Sequence, residues 1–355
     1  MPQTKPRPSR SRHAAHAAKL GGDLFEPAIQ AADAGTAVLR VASLVGEKLE
    51  EGEGSAALKK ANARPGATTW VDLTGASPEQ VADVAKAVGL HPLIVEDILE
   101  GNQRAKIEVT DALIHIVIFA FTWTDHAERI EIDIVLGKGF LLTVHGEEWD
   151  PRTVPALRDG LAPVMARGPD HLLWALVDAI VDGYFPLLDL LGDAIEDIQE
   201  RVIESPKPET LHKLFALKTE LLIIRRAAAP IREIFNQLTN RDLALIDTEE
   251  ILYFRDVYDH LIRLTDELDN YRELVSGTLD VYLSTVNNQL SLIMKRLTGV
   301  TVVLAGIAAI GGIFGMSEAG TALGGKEAPG FWLVTVGTIG AAFFMAWVLR
   351  RIGWI

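Results

Sequence analysis

The sequence predicts an α+β membrane protein, in which an α/β domain is followed by a long helix and a two-helix transmembrane hairpin. The hairpin is predicted by two apolar stretches that carry no charge, residues 297–316 and 331–349. Each stretch has about 20 residues, which at ~1.5 Å per residue spans the ~30 Å hydrocarbon core of a bilayer. The long helix is predicted by the lack of proline from 231 to 328, where apolar residues recur with the ~3.5-residue period of packed helices.

The N-terminal half has the pattern of an α/β domain. A strand is predicted at 68–73, and no element is assigned before it. A helix follows Ser77, because Pro78 at its first position and Gln80 at its third give a capping-box pattern. A short helix is predicted next, at 91–100. Runs rich in Val, Ile and Phe then predict successive antiparallel strands at 112–123, 130–136 and 140–144.

After residue 150 the pattern becomes helical, with helices predicted at 172–203 and 209–236. The apolar period then continues towards the first membrane stretch. The predicted organisation is an N-terminal tail and poorly assigned start (1–66), an α/β cytoplasmic domain (67–150), peripheral cytoplasmic helices (151–248), a stalk helix with the first transmembrane helix (249–316), an external loop (317–330), and a second transmembrane helix with a basic tail (331–355).

Basic pairs on both sides of the hairpin predict its orientation. Lys295 and Arg296 precede the first span, and Arg350 and Arg351 follow the second. The positive-inside rule places both pairs, and therefore both termini, in the cytoplasm. We expect a multi-pass protein of the plasma (inner) membrane. Two transmembrane helices cannot enclose a pore, so a channel would require several copies around an axis.

Composition excludes several function classes. The net charge of −14 argues against nucleic acid as a partner and favours attraction of cations. The chain has no cysteine, which excludes disulfides and thiolate metal sites. Residues 320–326 have the glycine and lysine spacing of a phosphate-binding loop, but Glu327 follows where Ser or Thr is required. Because no nucleophile motif or pair of catalytic carboxylates is found, we do not expect an enzyme.

Five segments resemble the motifs of CorA-type divalent-cation channels, the two-transmembrane GxN superfamily. They are 91–99 (HPLIVEDIL), 253–260 (YFRDVYDH), 280–287 (DVYLSTVN), 294–298 (MKRLT) and 313–316 (IFGM). Gln103, Arg104 and residues 106–108 extend the first of them. The resemblance covers roughly residues 68 to 355 in the family order. It implies a funnel-shaped homopentamer in which five first transmembrane helices line the pore.

The resemblance places the selectivity filter at Gly315, Met316 and Ser317, with Glu318 beside it. The family has Asn at the third position, whose amide oxygens hydrogen-bond the tightly held water shell of Mg²⁺. Ser317 is a departure, because a hydroxyl is shorter than an amide and both donates and accepts. A ring of Ser317 hydroxyls would be wider than a ring of Asn amides and would differ from it in polarity. Further pore-lining positions implied by the register are Ser291, Met294, Leu297, Ala305 and Ala308.

Asp97 and Asp256 match the family's regulatory carboxylates, where the α/β domain of one subunit meets the stalk of the next. Two facing carboxylates repel each other unless a hard cation bridges them with oxygen ligands. Glu96 is a further candidate for this regulatory metal site. The alternative for all three is an ordinary role in surface salt bridges.

The resemblance implies a pentameric channel for divalent cations, with Mg²⁺ as the main ion and Co²⁺ or Ni²⁺ as others. Intracellular Mg²⁺ bound between subunits would gate it. Two alternatives stay open at this point. One is a Zn²⁺ transporter of the same fold, with or without proton coupling, and the other is a non-conducting, membrane-anchored cation sensor. The partners expected are four further copies of the chain, the lipid bilayer and the cations.

Overall fold

A seven-stranded mixed sheet organises the N-terminal part of the computed structural model, which describes residues 37–101, 103–124, 126–315 and 329–354. The strands are β1 (Val38–Val45), β2 (Lys48–Glu53), β3 (Thr68–Thr74), β4 (Lys106–Val109), β5 (Leu113–Trp123), β6 (Ala127–Gly137) and β7 (Phe140–His145). They lie in the order β2-β1-β3-β7-β6-β5-β4. The predicted strands at 68–73, 112–123, 130–136 and 140–144 are therefore confirmed.

The centre of the sheet is a parallel pair, β3 and β7, in which Trp70 lies opposite Leu141. The pairs β1–β2, β1–β3, β4–β5 and β6–β7 are antiparallel. Three helices belong to this part of the chain: α1 (Gly54–Asn62), α2 (Pro78–Val88) and α3 (Pro92–Glu100). Each helix contributes to one buried apolar cluster with the sheet, through Leu58, Val81 and Ile94 respectively. This cluster fixes the position of α3 relative to the strands.

The start of α2 confirms the predicted capping box. Ser77 Oγ accepts a hydrogen bond from the Gln80 amide at 3.4 Å, and Gln80 Oε1 accepts one from the Ser77 amide at 2.9 Å. β1, β2 and α1, by contrast, lie in a region where the sequence indicated no element. β2 (KLEEGE) is an edge strand, and edge strands commonly carry charges that block further pairing. Its charged composition hides the alternation that would have predicted it.

The rest of the described chain is helical. After two short 3₁₀ turns, at Pro151–Thr153 and Pro155–Leu157, it contains α4 (Leu161–Ala166), α5 (Pro169–Asp182), α6 (Tyr184–Glu204), α7 (Pro208–Asn240), α8 (Ile251–Gly315) and α9 (Pro329–Arg351). The helix predicted at 172–203 was wrong in one respect, since α5 and α6 are separated at Gly183. Pro186 favours the break, because it has no N–H to donate to the carbonyl of residue 182 and costs least in a first helical turn.

The chain divides into two compact units. Of the described residues, the first unit contains those from 37 to 120, 129–179 and 240–254, and the second contains those in 121–128, 180–239, 255–315 and 329–354. In the second unit, Arg232 on α7 donates to Thr265 Oγ1 on α8 at 3.0 Å, and Gln199 on α6 donates to Thr278 Oγ1 at 3.1 Å. These bonds join α6 and α7 to the buried apolar face of α8, which includes Leu261, Leu264 and Leu268. The six predicted domain bounds stay predictions.

α8 has 65 residues and runs without interruption from Ile251 to Gly315. Among the described residues it is the one helix that is long and apolar enough to cross a membrane, and 6% of its 18-residue apolar window is buried. A Cβ placed on Gly306 of α8 would lie 3.0 Å from Met345 Cε of α9. Glycine therefore allows the two helices to approach closely at this level.

Candidate ion pathway and carboxylate site

Asp97 lies in the last turn of α3, which begins at Pro92 with the His91 side chain accepting a hydrogen bond from the Leu93 amide. Its Oδ2 is 2.6 Å from Nζ of Lys106, at the start of β4. The same ammonium donates to Glu108 Oε1 at 3.0 Å. One cation of the protein thus joins two carboxylates. The sequence predicted Asp97 as a metal ligand but did not predict that Lys106 already pairs with it.

The surroundings of Lys106 affect its pKa in two opposite ways. Partial burial lowers the pKa, but the hydrogen bonds to Asp97 and Glu108 and the charges of these carboxylates raise it by more, so that the net shift is upward. The ammonium is therefore charged at neutral pH. A metal ion that binds Asp97 has to compete with this built-in cation.

His115 lies beside this pair, opposite Glu108 in the β4–β5 ladder. Its side chain is buried, and Nε2 is 2.8 Å from Asp133 Oδ1 on β6. Ligand atoms of Asp97, Glu108 and His115 all lie within 4.8 Å of one another. Sequence reasoning missed Glu108 and His115 as a pair. The usable signal was the short turn at 110–112, which predicts a hairpin and so brings the two residues opposite each other.

Asp256 lies on α8 with 67% of its side chain exposed. Nε2 of His260, one turn further along, is 3.9 Å from Asp256 Oδ2. Glu96 is exposed on α3. Asp97 belongs to the first unit and Asp256 to the second, and the expected pairing joins neighbouring subunits. The regulatory role of Asp97, Asp256 and Glu96 therefore stays a prediction.

The predicted pore-lining residues all lie on α8 and are exposed in the single chain. They are Ser291, Met294, Leu297, Ala305 and Ala308. Met294 and Leu297 are 61% and 59% exposed, which is high for large apolar side chains. The Ser291 hydroxyl donates back to the carbonyl of Asn287 at 3.0 Å. From Asn287 to Ile313 nearly every residue of α8 is exposed, so this segment needs lipid or other helices to cover it.

The predicted filter begins where α8 ends, at Gly315. Met316, Ser317 and Glu318 lie outside the described residues, as does most of the loop predicted at 317–330. Their role as a filter stays a prediction.

Comparison with known proteins shows the family to which the chain belongs. The model of the CorA-like Mg²⁺ transporter proteins matches residues 65–351. The chain belongs to this family. The cobalt/magnesium transport protein CorA of Thermotoga maritima is 36% identical over 256 residues, which cover 70% of this chain and 73% of the relative. A putative metal ion transporter of Bacillus subtilis is 30% identical over 249 residues, covering 70% and 78% respectively.

The CorA fold is also found in the solved structures. The complete CorA magnesium transporter of Methanocaldococcus jannaschii matches with a TM-score of 0.72 at 22% identity, over 90% of this chain and 98% of that one. At this identity the likeness shows a shared fold. The predicted α/β domain followed by a long helix is therefore confirmed. Since CorA family members are transporters, the prediction that the chain is not an enzyme is confirmed as well.

Proposed function

We propose that the chain forms a homopentamer in the plasma (inner) membrane, with both termini in the cytoplasm, and conducts divalent cations. Mg²⁺ is the main ion of this proposal, with Co²⁺ and Ni²⁺ as alternatives. Five copies of α8 line the pore, and the filter at its outer end consists of Gly315, Met316, Ser317 and Glu318. Intracellular Mg²⁺ between subunits, at Asp97 and Asp256 with Glu96 nearby, keeps the pore closed.

One observation carries the proposal: α8 continues unbroken from the segment packed against α6 and α7 into an apolar segment that the single chain leaves uncovered. Leaving so much apolar surface in water is unfavourable at ~25 cal/mol per Å². Lipid covers one side of such a helix, and neighbouring copies cover the other. A ring of copies is the arrangement that also produces a pore from a chain with only two apolar stretches.

The ion class follows from the donors available. Carboxylate, hydroxyl and carbonyl oxygens suit hard cations such as Mg²⁺, which keep most of their water shell. The five predicted lining positions carry no charge, so they support passage of a hydrated ion without binding it tightly. Glu318 adds a ring of carboxylates at the outer mouth, which would concentrate cations there.

Gating follows from the charges near Asp97. Without metal, Asp97 is neutralised by Lys106, while Asp256 is exposed and carries a charge that a neighbouring subunit can approach. Mg²⁺ that binds between them stabilises the closed arrangement of subunits, and its loss removes that stabilisation. The coupling is reciprocal, so conditions that favour the closed state also tighten Mg²⁺ binding.

The second candidate function is a membrane-anchored cation sensor that does not conduct. The observation that favours it is Ser317 in place of the family's Asn. A Zn²⁺ transporter of the same fold is a variant of the first candidate and differs from it in the ion carried.

The deciding experiment is uptake of Mg²⁺, Co²⁺, Zn²⁺ and the monovalent ion K⁺ into proteoliposomes that contain the unchanged protein, Ser317→Asn or the matched control Ser317→Ala. We expect divalent flux in the natural protein and higher selectivity for Mg²⁺ over monovalent ions in Ser317→Asn alone. Flux only in Ser317→Asn would support the sensor. Absence of flux in all three proteins would contradict the channel, and Zn²⁺ flux without Mg²⁺ flux would favour the Zn²⁺ transporter.

A further inference from the structure

We propose that each subunit contains a transition-metal site of its own, formed by His115, Glu108 and Asp97 at the β4–β5 hairpin. The ions that fit are Zn²⁺, Co²⁺ and Ni²⁺, because imidazole nitrogen is a good ligand for these and a poor one for Mg²⁺. The site lies within the first unit of one chain. It is therefore distinct from the proposed Mg²⁺ site between subunits, although both include Asp97.

The first support is the placement of the donors. Glu108 and His115 are directly opposite in an antiparallel ladder, so their side chains share one face of the sheet. Asp97 reaches the same place from α3, as its bond to Lys106 of β4 shows. Donor atoms of the three residues lie within 4.8 Å of one another, close enough for one ion to contact all of them after small adjustments.

The second support is an unsatisfied atom. His115 is 0% exposed, and its Nδ1 has no hydrogen-bond partner. A buried nitrogen without a partner costs free energy, because it has lost its hydrogen bond to water and gained none in the protein. Buried polar groups are normally paired, so this atom requires an explanation. A metal ion at Nδ1 would supply the missing partner.

The third support is the opposite side of the ring. Nε2 of His115 is 2.8 Å from Asp133 Oδ1. When Nε2–H donates to this carboxylate, Nδ1 keeps its lone pair and is able to bind a metal as a neutral ligand. Carboxylate, histidine and metal in this order are the usual arrangement in protein metal sites, where the carboxylate orients the ring and makes it more basic.

Lys106 is the built-in competitor of the metal. Its ammonium bonds to both carboxylates, at 2.6 Å and 3.0 Å, and would have to swing away when a metal binds. The lysine side chain is long enough to do so. This competition makes a specific prediction: removing the ammonium should tighten metal binding, because it frees both carboxylates for the ion.

The site would also affect gating, and this part rests on the proposed function. A transition metal held by His115 and Glu108 would engage Asp97 and leave it less available to Mg²⁺ between subunits. Zn²⁺ or Co²⁺ would then change the Mg²⁺ dependence of the closed state. The binding claim itself does not depend on transport.

The test is a Co²⁺ titration of purified full-length protein in detergent, followed by the visible absorption of bound Co²⁺ and by competition with Zn²⁺. Lys106→Met should tighten binding about tenfold, and His115→Gln should weaken it by more than ~10-fold, the size expected when a metal ligand or its support is lost. His212→Gln removes an exposed histidine on α7 and should leave binding unchanged. Asp256→Asn should also leave it unchanged, which separates this site from the proposed Mg²⁺ site.

The two variants are expected to change the Co²⁺ affinity in opposite directions, upward in Lys106→Met and downward in His115→Gln. Equal Co²⁺ affinity in the natural protein and in His115→Gln would overturn the site, and so would unchanged or weaker binding in Lys106→Met. If His115→Gln does not fold, Lys106→Met is compared with the double variant Lys106→Met/Glu108→Gln. Tighter binding in the first and its loss in the second support the site, and equal binding in both overturns it. Failure of ion flux in the proteoliposomes bears on the proposed function and leaves this result unaffected.

Discussion

Arg225 on α7 and Asp269 on α8 form a two-point ion pair, with Nε 2.6 Å from Oδ1 and Nη2 3.2 Å from Oδ2. Arg272, one turn further along α8, donates to the same carboxylate at 2.8 Å. The hydrogen bond from Arg225 lowers the pKa of Asp269 below its ordinary value of 3.8, although slight burial acts in the other direction. The pair connects two long helices of the second unit.

The first prediction concerns this pair. Asp269→Asn should lower the stability of the full-length protein at pH 7 by about 0.5 kcal/mol, a small effect because the pair is largely exposed and screened by solvent. Since the folded pKa is depressed, the contribution is complete above the ordinary pKa and is lost as pH falls through the lower folded value. Thermal unfolding in detergent should show a difference between the two proteins at pH 7 that shrinks below about pH 4. A constant difference down to pH 2 would contradict the assignment.

The second prediction concerns Lys106. Lys106→Met removes the cation that neutralises Asp97, so Mg²⁺ should protect the protein from protease at a lower concentration than in the natural chain. Lys59→Met, at an exposed position of α1, is the matched control. It should leave the midpoint, the Mg²⁺ concentration that gives half of the full protection, unchanged. Limited proteolysis over a Mg²⁺ titration measures this midpoint in each variant. A higher midpoint in Lys106→Met would mean that Lys106 supports the regulatory site and does not compete with it.

The third prediction concerns the proposed pairing of subunits. Asp97→Asn and Asp256→Asn should each weaken Mg²⁺-dependent protection, because each removes one of two carboxylates that the ion would bridge. Asp266→Asn changes another exposed carboxylate of α8 and serves as the control. Equal loss in all three variants would indicate a general charge effect, and full protection in Asp256→Asn would reject the proposed site.

The fourth prediction uses the absence of cysteine from the chain. Met294→Cys should react with a charged, water-soluble thiol reagent added from the cytoplasmic side, and the reaction should block divalent flux. Ile293→Cys, equally exposed in the single chain but pointing elsewhere around the helix, should react slowly and leave flux intact. Because no native thiol gives a background, the comparison is direct. Faster reaction at 293 than at 294 would show that the pore-facing register is wrong.

The fifth prediction separates buried from exposed positions of α8. Leu268 is fully buried in the second unit, and Leu268→Ala should cost about 2–5 kcal/mol of unfolding free energy. Leu290 is about half exposed, so Leu290→Ala should cost less than ~1 kcal/mol by loss of contacts within the chain. Denaturant unfolding in detergent measures both. A large cost at 290 would indicate that neighbouring copies bury this position, since contacts within one chain would not account for it.

Much of the fold was predictable because its signals are local. The capping box at Ser77, the apolar run of β5 and the lack of proline before α8 each depend on neighbouring residues. The charged edge strand β2 escaped because its pairing with β1 depends on residues distant from its own pattern. Pro186 was a local signal too, but the surrounding apolar period was stronger, and the break at Gly183 was not predicted.

The candidate site was predicted less completely than the fold. Asp97 and Asp256 were identified by their resemblance to family motifs. Such a match gives positions in the sequence but does not say which side chains contact them in the folded protein. The bond of Asp97 to Lys106 and the proximity of His115 depend on how α3 packs against β4 and β5. The orphan Nδ1 of His115 is likewise a property of the packed interior. Contacts of this kind depend on how separate elements pack in three dimensions, which the spacing of residues along the chain does not give.

The uninterrupted course of α8 has a mechanical consequence. With 65 residues the helix works as a lever, because no break along it can absorb a rotation. At ~1.5 Å per residue it is ~97 Å long, so a tilt of ~3° about one end moves the other end by ~5 Å. A displacement of that size exceeds the diameter of a water molecule. In the proposed pentamer, a small rearrangement around Asp256, near one end, would therefore change the bore of the pore at the opposite end by a larger distance.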